Sequence, residues 1–299
     1  MMESGNLLDG YKMNFKTDEL SSEVERITAT CQHLEQDVEV LKTIFSCIDL
    51  TTLKESDSTE SVTAFVQKVN DFKTQYPDMP SVGAVCVFPV FAPIINQYLK
   101  VNEVQKAVVA GGFPSSQTFL DIKVLEVKKA VSYGANEIDV VISVGEFLEG
   151  NYEFVYEEIR QLKEACGDAH LKVILETGAI GDAQLIWNAS IIAMDAGADF
   201  IKTSTGKIPT AATLDAAYVM CKAIKAYHSK TGKKIGFKPA GGIAETIEAV
   251  NYYAIVNEVL GQKWLSNTLF RIGASRLANN LLSDILSLED SSMDKVKFF

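Results

Sequence analysis

The chain has 299 residues, of which 47% are hydrophobic and 22% charged, and its formal net charge at pH 7 is −11. An acidic surface of this kind repels nucleic acid and anionic membranes, so neither is expected as a general partner. No apolar run approaches the roughly 20 residues of a membrane helix, and the first residues lack the apolar core of a secretory signal. The five cysteines are widely spaced and form no CxxC pair, which is typical of reduced thiols in a cytoplasmic protein.

Residues 1–43 are predicted to form an N-terminal helical extension. Apolar side chains recur there at a spacing of three and four residues, as in a heptad stripe. A stripe of this kind occurs in dimerising coiled coils and in helices that pack across the bottom of a barrel, and we favour the second interpretation. Its members are Val24, Ile27, Cys31, Leu34, Val38, Leu41 and Phe45.

From residue 44 to residue 288, short β-branched runs alternate with amphipathic stretches, the pattern of repeated βα units. Eight such units predict a (β/α)₈ TIM barrel, which takes roughly 250 residues. Between the third and fourth strands, residues 118–134 have helical periodicity and end on a glycine that suits a helix C-terminus. Residues 289–299 are predicted to form a flexible C-terminal tail. The predicted strands are 45–50, 83–88, 106–111, 137–142, 171–176, 199–203, 234–238 and 269–273.

Catalytic groups of such barrels lie at the C-terminal ends of the strands. Two similar segments, 130–139 and 193–202, align so that Asp139 and Lys202 share a register on strands four and six, facing the barrel interior. Buried ionisable groups are costly unless they are paired or functional. Strand-end positions therefore give the candidates Asp49, Cys86, Asp139, Glu176, Lys202 and Lys238.

Lys202 and Lys238 end neighbouring strands, so their ammonium groups are expected within roughly 6 Å of each other. At an effective dielectric of about 20, that repulsion costs about 2.8 kcal/mol, or about two pKa units, and burial adds to it. Together these effects bring one lysine towards neutrality. A neutral amine attacks a carbonyl and forms a Schiff base, which acts as an electron sink for carbon–carbon chemistry.

Glycine-rich turns predict a phosphate site in the last three loops. Backbone N–H groups after strands seven and eight commonly bind phosphate in these barrels. The three histidines are scattered and none ends a strand, so no metal site is expected, and no dinucleotide motif is present. The candidates for phosphate binding are Ser204, Gly206, Lys207, Gly241, Gly242, Gly273 and Ser275.

These motifs resemble the deoxyribose-phosphate aldolase family, in its longer eukaryotic-type form. The resemblance spans about residues 43 to 288 and implies a class I aldolase barrel without a cofactor. It also implies reversible cleavage of 2-deoxy-D-ribose 5-phosphate into D-glyceraldehyde 3-phosphate and acetaldehyde, in deoxyribonucleoside catabolism. The motifs that carry it are DLTTL (49–53), AVCVFP (84–89), EIDVV (137–141), DFIKTSTGK (199–207), GFKPAGGI (236–243) and GAS (273–275).

By this resemblance, Lys202 is the Schiff-base nucleophile, Lys238 lowers the pKa of Lys202 and moves charge, and Asp139 is an acid/base acting through a water. Asp49 and Thr51 are interpreted either as supports of this network or as simple strand-end caps. Cys86 is expected to be a packed, inert thiol near the pocket, and Glu176 a hydrogen-bond acceptor beside it.

The chain departs from many relatives at three places. It has Ala244 where they have a basic residue and Arg276 where they have Ser or Thr, so we expect Arg276 to supply the phosphate-binding charge. Some relatives end in a tyrosine that reaches the pocket, whereas this chain ends in Phe298 and Phe299. Proton exchange at the acetaldehyde carbon is expected to be slower for that reason.

Two other functions are compatible with the fold alone: a protein-binding scaffold that has lost its chemistry, and a different Schiff-base enzyme such as a transaldolase. The lysine pair with Asp139 argues against the first, and the match of the substrate loops argues against the second. The expected partner is a small phosphorylated sugar, and a second copy of the chain in a homodimer is a further candidate.

Overall fold

The computed structural model describes residues 4–299, and within this range eight parallel strands form a barrel. Their order is β7-β6-β5-β4-β3-β2-β1-β8. Two bridges, Phe237 to Phe270 and Ala240 to Gly273, bring β8 back beside β7 and close it. The predicted TIM barrel is confirmed. The strands are β1 (Ile48–Thr51), β2 (Ala84–Val87), β3 (Gln105–Ala110), β4 (Glu137–Val141), β5 (His170–Ile174), β6 (Phe200–Lys202), β7 (Gly236–Lys238) and β8 (Ile272–Ala274).

Helices cover the outside of the barrel, which is why the strands are buried on both faces. Each predicted strand overlaps an observed one, and the differences lie at the strand ends. Several helices begin at a side-chain cap: Ser58, Asp182 and Thr213 each accept a backbone N–H of the following turn. The helices that follow β1 are α4 (Thr59–Gln75), α5 (Ala92–Tyr98), α6 (Leu120–Ser132), α7 (Val144–Leu148), α8 (Tyr152–Cys166), α9 (Thr177–Ile180), α10 (Ala183–Asp195), α11 (Leu214–Thr231), α12 (Thr246–Leu260) and α13 (Leu277–Glu289).

The N-terminal extension is helical but is not one continuous helix. It consists of α1 (Ser4–Asp9), α2 (Thr17–Cys31) and α3 (Val38–Ser46), with a 3₁₀ turn at Gln32–Gln36. The Asp37 side chain accepts the N–H groups of Glu39 and Val40 and so begins a new helix inside the heptad stripe.

The apolar stripe packs against other helices of the same chain. Its α2 members Val24, Ile27 and Cys31 are buried where α2 packs against α12 and α11, and Leu41 and Phe45 are buried where α3 packs against α13 and α12. The expectation of a helix across the barrel bottom is therefore wrong for α2, which lies along the outer helices. None of the helices in residues 4–299 is both long and apolar enough to cross a membrane.

The end of the chain packs against the outer helices. The N–H groups of Phe298 and Phe299 donate to Asn279 Oδ1 at 2.8 and 2.9 Å. Their rings contact Phe72, in the last turn of α4, and that of Phe299 also approaches Phe45 in α3. Phe45 and Phe72 lie at the ends of α3 and α4 that lead into β1 and β2, whereas Asn279 lies in the first turn of α13, just after β8. The mobility of residues 289–299 stays a prediction.

Candidate active site

A cavity of about 270 Å³ opens at the C-terminal ends of the strands, with Lys202 in its wall. Four strand ends with their following loops contribute to it: residues 51–54 at the end of β1, 205–207 after β6, 240–243 after β7 and 273–276 at the end of β8. The structure thus brings together most of the residues predicted to bind substrate. These are Gly206, Lys207, Gly241, Gly242, Gly273, Ser275 and Arg276. Thr51, predicted as a support or a strand-end cap, lines the cavity as well.

Two buried lysines share one carboxylate oxygen beside this cavity. Lys202 and Lys238 are direct register partners on β6 and β7. Both ammonium groups donate to Asp139 Oδ2, each at 2.7 Å. All three residues are buried, and the second oxygen of Asp139 forms no hydrogen bond within residues 4–299. The three residues predicted from strand ends therefore meet at one point.

The lysines differ in their surroundings, and their pKa values move in opposite directions. For Lys202 burial is the largest cause and lowers the pKa; Asp139 opposes this, and the charge of Lys238 adds to it. For Lys238 burial also lowers the pKa, but Asp139 and Asp49 together raise it above the ordinary value. The arrangement favours a neutral Lys202 beside a charged Lys238, and Lys202 is the one that faces the cavity.

Asp139 remains ionised despite its burial. Burial raises the pKa of its carboxyl, but the charges of Lys172, Lys202 and Lys238 lower it further than burial raises it. A carboxylate held between two ammonium groups can accept a proton from a substrate hydroxyl or return one, as general acid–base catalysis requires.

Asp49 anchors Lys238 from the other side. Its Oδ2 accepts hydrogen bonds from Lys238 and, at 3.0 Å, from Lys172. Thr51 donates to the Asp49 carbonyl oxygen at 2.7 Å and lines the cavity. Of the two interpretations left open for Asp49, the geometry matches support of the lysine network. Cys86 is buried in the barrel interior, where burial raises the pKa of its thiol to about 11.

A second layer of charges lies below, and sequence reasoning missed it. Lys172 on β5 donates to Glu137 Oε2 at 2.5 Å, and Arg271, just before β8, donates to Asp49 Oδ1 at 2.6 Å and to Glu137 Oε1 at 2.9 Å. A signal was present, because Glu137 lies two residues before Asp139 and therefore on the same face of β4. The prediction considered strand ends only, and these residues precede them.

The glycine-rich loops approach each other closely. Gly241 has a φ of +86°, and a Cβ there would lie 2.8 Å from Gly206 Cα and 2.7 Å from Ala211 Cβ. Larger residues at 241 are therefore excluded by both backbone conformation and space. The packed loops leave backbone N–H groups of the kind that bind phosphate near the cavity wall.

Glu176 and Lys207 fix the loop after β6. Glu176 is buried with a positive φ of 58°, and its carboxylate accepts hydrogen bonds from the Thr205 hydroxyl at 2.6 Å and the Thr205 N–H at 3.2 Å. Lys207 donates to the Leu53 carbonyl oxygen at 2.5 Å, across the cavity mouth. Ser204 is buried next to this loop, and its hydroxyl has no hydrogen-bond partner in residues 4–299.

Ser275 and Arg276 are exposed at the cavity rim, at the start of α13. Within residues 4–299 the Arg276 guanidinium forms no salt bridge, so it is available to an anion. Ala244 lies one loop away, and its carbonyl oxygen accepts a hydrogen bond from Asn280 of α13 at 2.9 Å. Positions 244 and 276 thus flank the same end of α13.

No cluster of three or more His, Cys, Asp or Glu side chains suited to a metal ion occurs in the described part of the chain. The expectations that no metal and no cofactor take part stay predictions. The chemistry available at this site comes from the amine of Lys202 and the acid–base capacity of Asp139 and Lys238.

Comparison with known proteins identifies the family of the chain. The profile of the family described as DeoC/LacD family aldolase matches residues 43–258. A Caenorhabditis elegans protein provisionally named deoxyribose-phosphate aldolase is 42% identical over 276 residues, covering 91% of this chain and 90% of that protein. The human deoxyribose-phosphate aldolase is 45% identical over 253 residues, covering 80% of this chain and 77% of that protein.

The fold is also found among solved structures. The tetrameric structure of deoxyribose phosphate aldolase from Aeropyrum pernix superposes with a TM-score of 0.66 at 24% identity, covering 86% of this chain and 97% of that one. At 24% identity this similarity shows the fold alone, whereas the relatives with 42% and 45% identity show the family. The chain belongs to the DeoC/LacD family of aldolases.

Proposed function

We propose that the chain is a class I deoxyribose-phosphate aldolase, which reversibly cleaves 2-deoxy-D-ribose 5-phosphate into D-glyceraldehyde 3-phosphate and acetaldehyde. The observation that carries this proposal is the pair of buried lysines sharing one oxygen of Asp139 beside a cavity with glycine-rich loops. The named relatives, which are aldolases of this sugar phosphate, support the choice of substrate.

Lys202 is the nucleophile. Its neutral amine adds to the C1 aldehyde of the open-chain sugar, and the carbinolamine takes up one proton and loses water to give an iminium ion; the final hydrolysis releases that proton. A base then takes the proton of the C3 hydroxyl, the C2–C3 bond breaks, and its electron pair moves into the nitrogen-conjugated enamine. C3 leaves as the aldehyde of glyceraldehyde 3-phosphate. The enamine takes a proton at C2, and water hydrolyses the resulting iminium to acetaldehyde and free Lys202.

Asp139 and Lys238 handle the protons. Asp139, ionised in the free enzyme, accepts the proton of the C3 hydroxyl through a water and returns it to C2. Lys238 stays charged, repels a proton on Lys202 and balances the carboxylate as its protonation changes. Asp49 and Thr51 hold Lys238 and the adjoining loop, and Cys86 takes no part because its thiol stays protonated at neutral pH.

The phosphate of the substrate binds in the upper part of the cavity. The backbone N–H groups of Gly206 and Gly242 and the Ser275 hydroxyl line the cavity and supply uncharged donors. Gly241 and Gly273 shape the wall, but their N–H groups already donate to the carbonyl oxygens of Gly273 and Pro239, and Ser204 is buried beside the loop. Lys207 and Arg276 add the positive charge that an anion requires in a protein of net charge −11. A scaffold without chemistry has no use for these groups together, so we do not favour that alternative.

We propose in addition that two copies of the chain form a homodimer and that the enzyme works in the cytoplasm. Helix α6 and the residue before it expose three large apolar side chains, Phe119, Ile122 and Leu125, which are 78%, 48% and 58% exposed. A second copy would cover this face, and light scattering of the wild type and of Leu125→Lys would detect its loss. The cytoplasmic assignment draws on the five cysteines, all of which are unpaired.

The direct test of the activity uses purified protein and 2-deoxy-D-ribose 5-phosphate. Formation of glyceraldehyde 3-phosphate is followed with a coupled dehydrogenase, and acetaldehyde is measured separately. We expect equal amounts of both products, and the reverse condensation when both are supplied. Turnover of other phosphorylated ketoses or aldoses in preference to this substrate would contradict the proposal.

A further inference from the structure

Arg271 and Glu137 form a buried ion pair beneath the active site. Arg271 is 4% exposed and Glu137 is 1% exposed, and neither lines the cavity. The guanidinium donates to both oxygens of Glu137, at 2.9 and 3.2 Å, and to Asp49 Oδ1 at 2.6 Å. Substrate in the cavity does not reach this pair, so any effect on catalysis must pass through the residues above it.

The pair belongs to one connected cluster of buried charges. Asp49 links Arg271 to Lys238 and Lys172, and Lys172 links Asp49 back to Glu137 and, at 3.4 Å, to Asp139. The cluster holds four cationic side chains, Lys172, Lys202, Lys238 and Arg271, against three carboxylates, Asp49, Glu137 and Asp139.

When every group is ionised, the cluster carries one excess positive charge. An uncompensated charge in a protein interior is costly, and the cheapest relief is for one group to become neutral. Arg271 cannot lose its proton, and Lys172 and Lys238 each contact at least two carboxylates. Lys202 contacts only Asp139, an oxygen it shares with Lys238. Deprotonation of Lys202 leaves three cations facing three carboxylates.

We propose that Arg271 and Glu137 are positioning residues that set the protonation state of Lys202 through the charge balance of this cluster. This proposal rests on the proposed Schiff-base function. It gives Arg271 and Glu137 a role in the reactivity of Lys202 beyond stabilising the barrel. Arg271 occupies Glu137 and one oxygen of Asp49, which leaves Lys238 and Lys172 to take the other Asp49 oxygen. Lys202 is then the cation with the fewest carboxylate contacts, since it has only the Asp139 oxygen that it shares with Lys238.

The titratable groups that act on Lys202 are Asp139, Lys238 and Cys86. Two more groups lie at the edge of the cluster: Cys47 is near Arg271, and His170 Nδ1 lies 3.9 Å from Glu137 Oε1. His170 is the exposed one of these, with 56% of its side chain accessible. A His170→Gln background therefore serves as the control for titration of the imidazole.

The test is a reciprocal pair of charge removals, Arg271→Met and Glu137→Gln, read out by Schiff-base formation. The rate of borohydride trapping with acetaldehyde is measured against pH in each variant. Removing the cation should raise the midpoint by about one pH unit and lower trapping at pH 7 about tenfold, and removing the carboxylate should move the midpoint by a similar amount to lower pH. Arg271→Lys, which keeps the charge, should keep the wild-type midpoint.

The double variant Arg271→Met/Glu137→Gln provides the decisive comparison. It removes one charge of each sign, so its midpoint should return to the wild-type value, and removal of a whole buried pair is often tolerated where loss of one partner is not. Midpoints that do not move in the single variants, or a double variant displaced as far as Arg271→Met, would overturn the inference. Wild-type protein that fails to trap acetaldehyde would instead refute the Schiff-base function itself.

Discussion

Replacing Lys238 with methionine should raise the pKa of Lys202 and move its reactivity to alkaline pH. Both ammonium groups donate to Asp139 Oδ2 at 2.7 Å, so their nitrogens lie close together. At a separation of roughly 5 Å and an effective dielectric of about 20, the repulsion is about 3 kcal/mol, or about two pKa units. The substitution also removes the competing donor to Asp139 Oδ2, so that Lys202 alone donates to this oxygen, and this raises the pKa of Lys202 further. Trapping of acetaldehyde at pH 7 should fall on the order of 100-fold.

The assay is the pH dependence of borohydride trapping, because it isolates Schiff-base formation from the later proton transfers in which Lys238 takes part. Rates should recover in part above pH 9 if the lost repulsion is the cause. Lys68→Met makes the same substitution on an exposed position of α4 and controls for the change in net charge. A midpoint unchanged in Lys238→Met would refute the reasoning, since burial alone would then set the pKa of Lys202.

Two further predictions concern recognition of the substrate phosphate and activity without a metal ion. Arg276→Ser should raise the KM for the phosphorylated sugar roughly 10- to 150-fold, because a charge-assisted contact contributes about 1.5–3 kcal/mol, while unphosphorylated deoxyribose should be almost unaffected. Arginine at position 244 in that background should restore part of the loss, and equal effects on both sugars would mean that Arg276 only faces solvent. Treatment with EDTA should leave kcat unchanged, because the electron sink is the Lys202 iminium; activity lost to EDTA and restored by zinc would contradict this.

The sequence predicted the barrel well because its signals are local. Each βα unit carries its own apolar run and helix, and the rule that catalytic groups end the strands selects Asp139, Lys202 and Lys238 without knowledge of the tertiary structure. The glycine-rich loops at the cavity were predicted for the same reason, since glycines that follow a strand mark positions where the backbone turns sharply. That these loops bind phosphate stays a prediction.

The lower charge layer was not predicted because it depends on closure of the barrel. Arg271 lies 222 residues from Asp49 and 134 from Glu137 along the chain, and no local pattern joins them. The break in the extension is a different case. Asp37 is a good helix N-cap within the heptad stripe, and weighting it against the apolar periodicity would have predicted the end of one helix and the start of another.

The proposed attack of Lys202 on the aldehyde can be tested directly by trapping the Schiff base. Wild-type protein is incubated with acetaldehyde, reduced with borohydride, digested and mapped by mass spectrometry. We expect a reduced two-carbon adduct on the peptide that contains Lys202, none on the peptide that contains Lys238, and loss of the adduct in Lys202→Met. An adduct on Lys238 in the wild type, or a failure to trap any adduct, would contradict it.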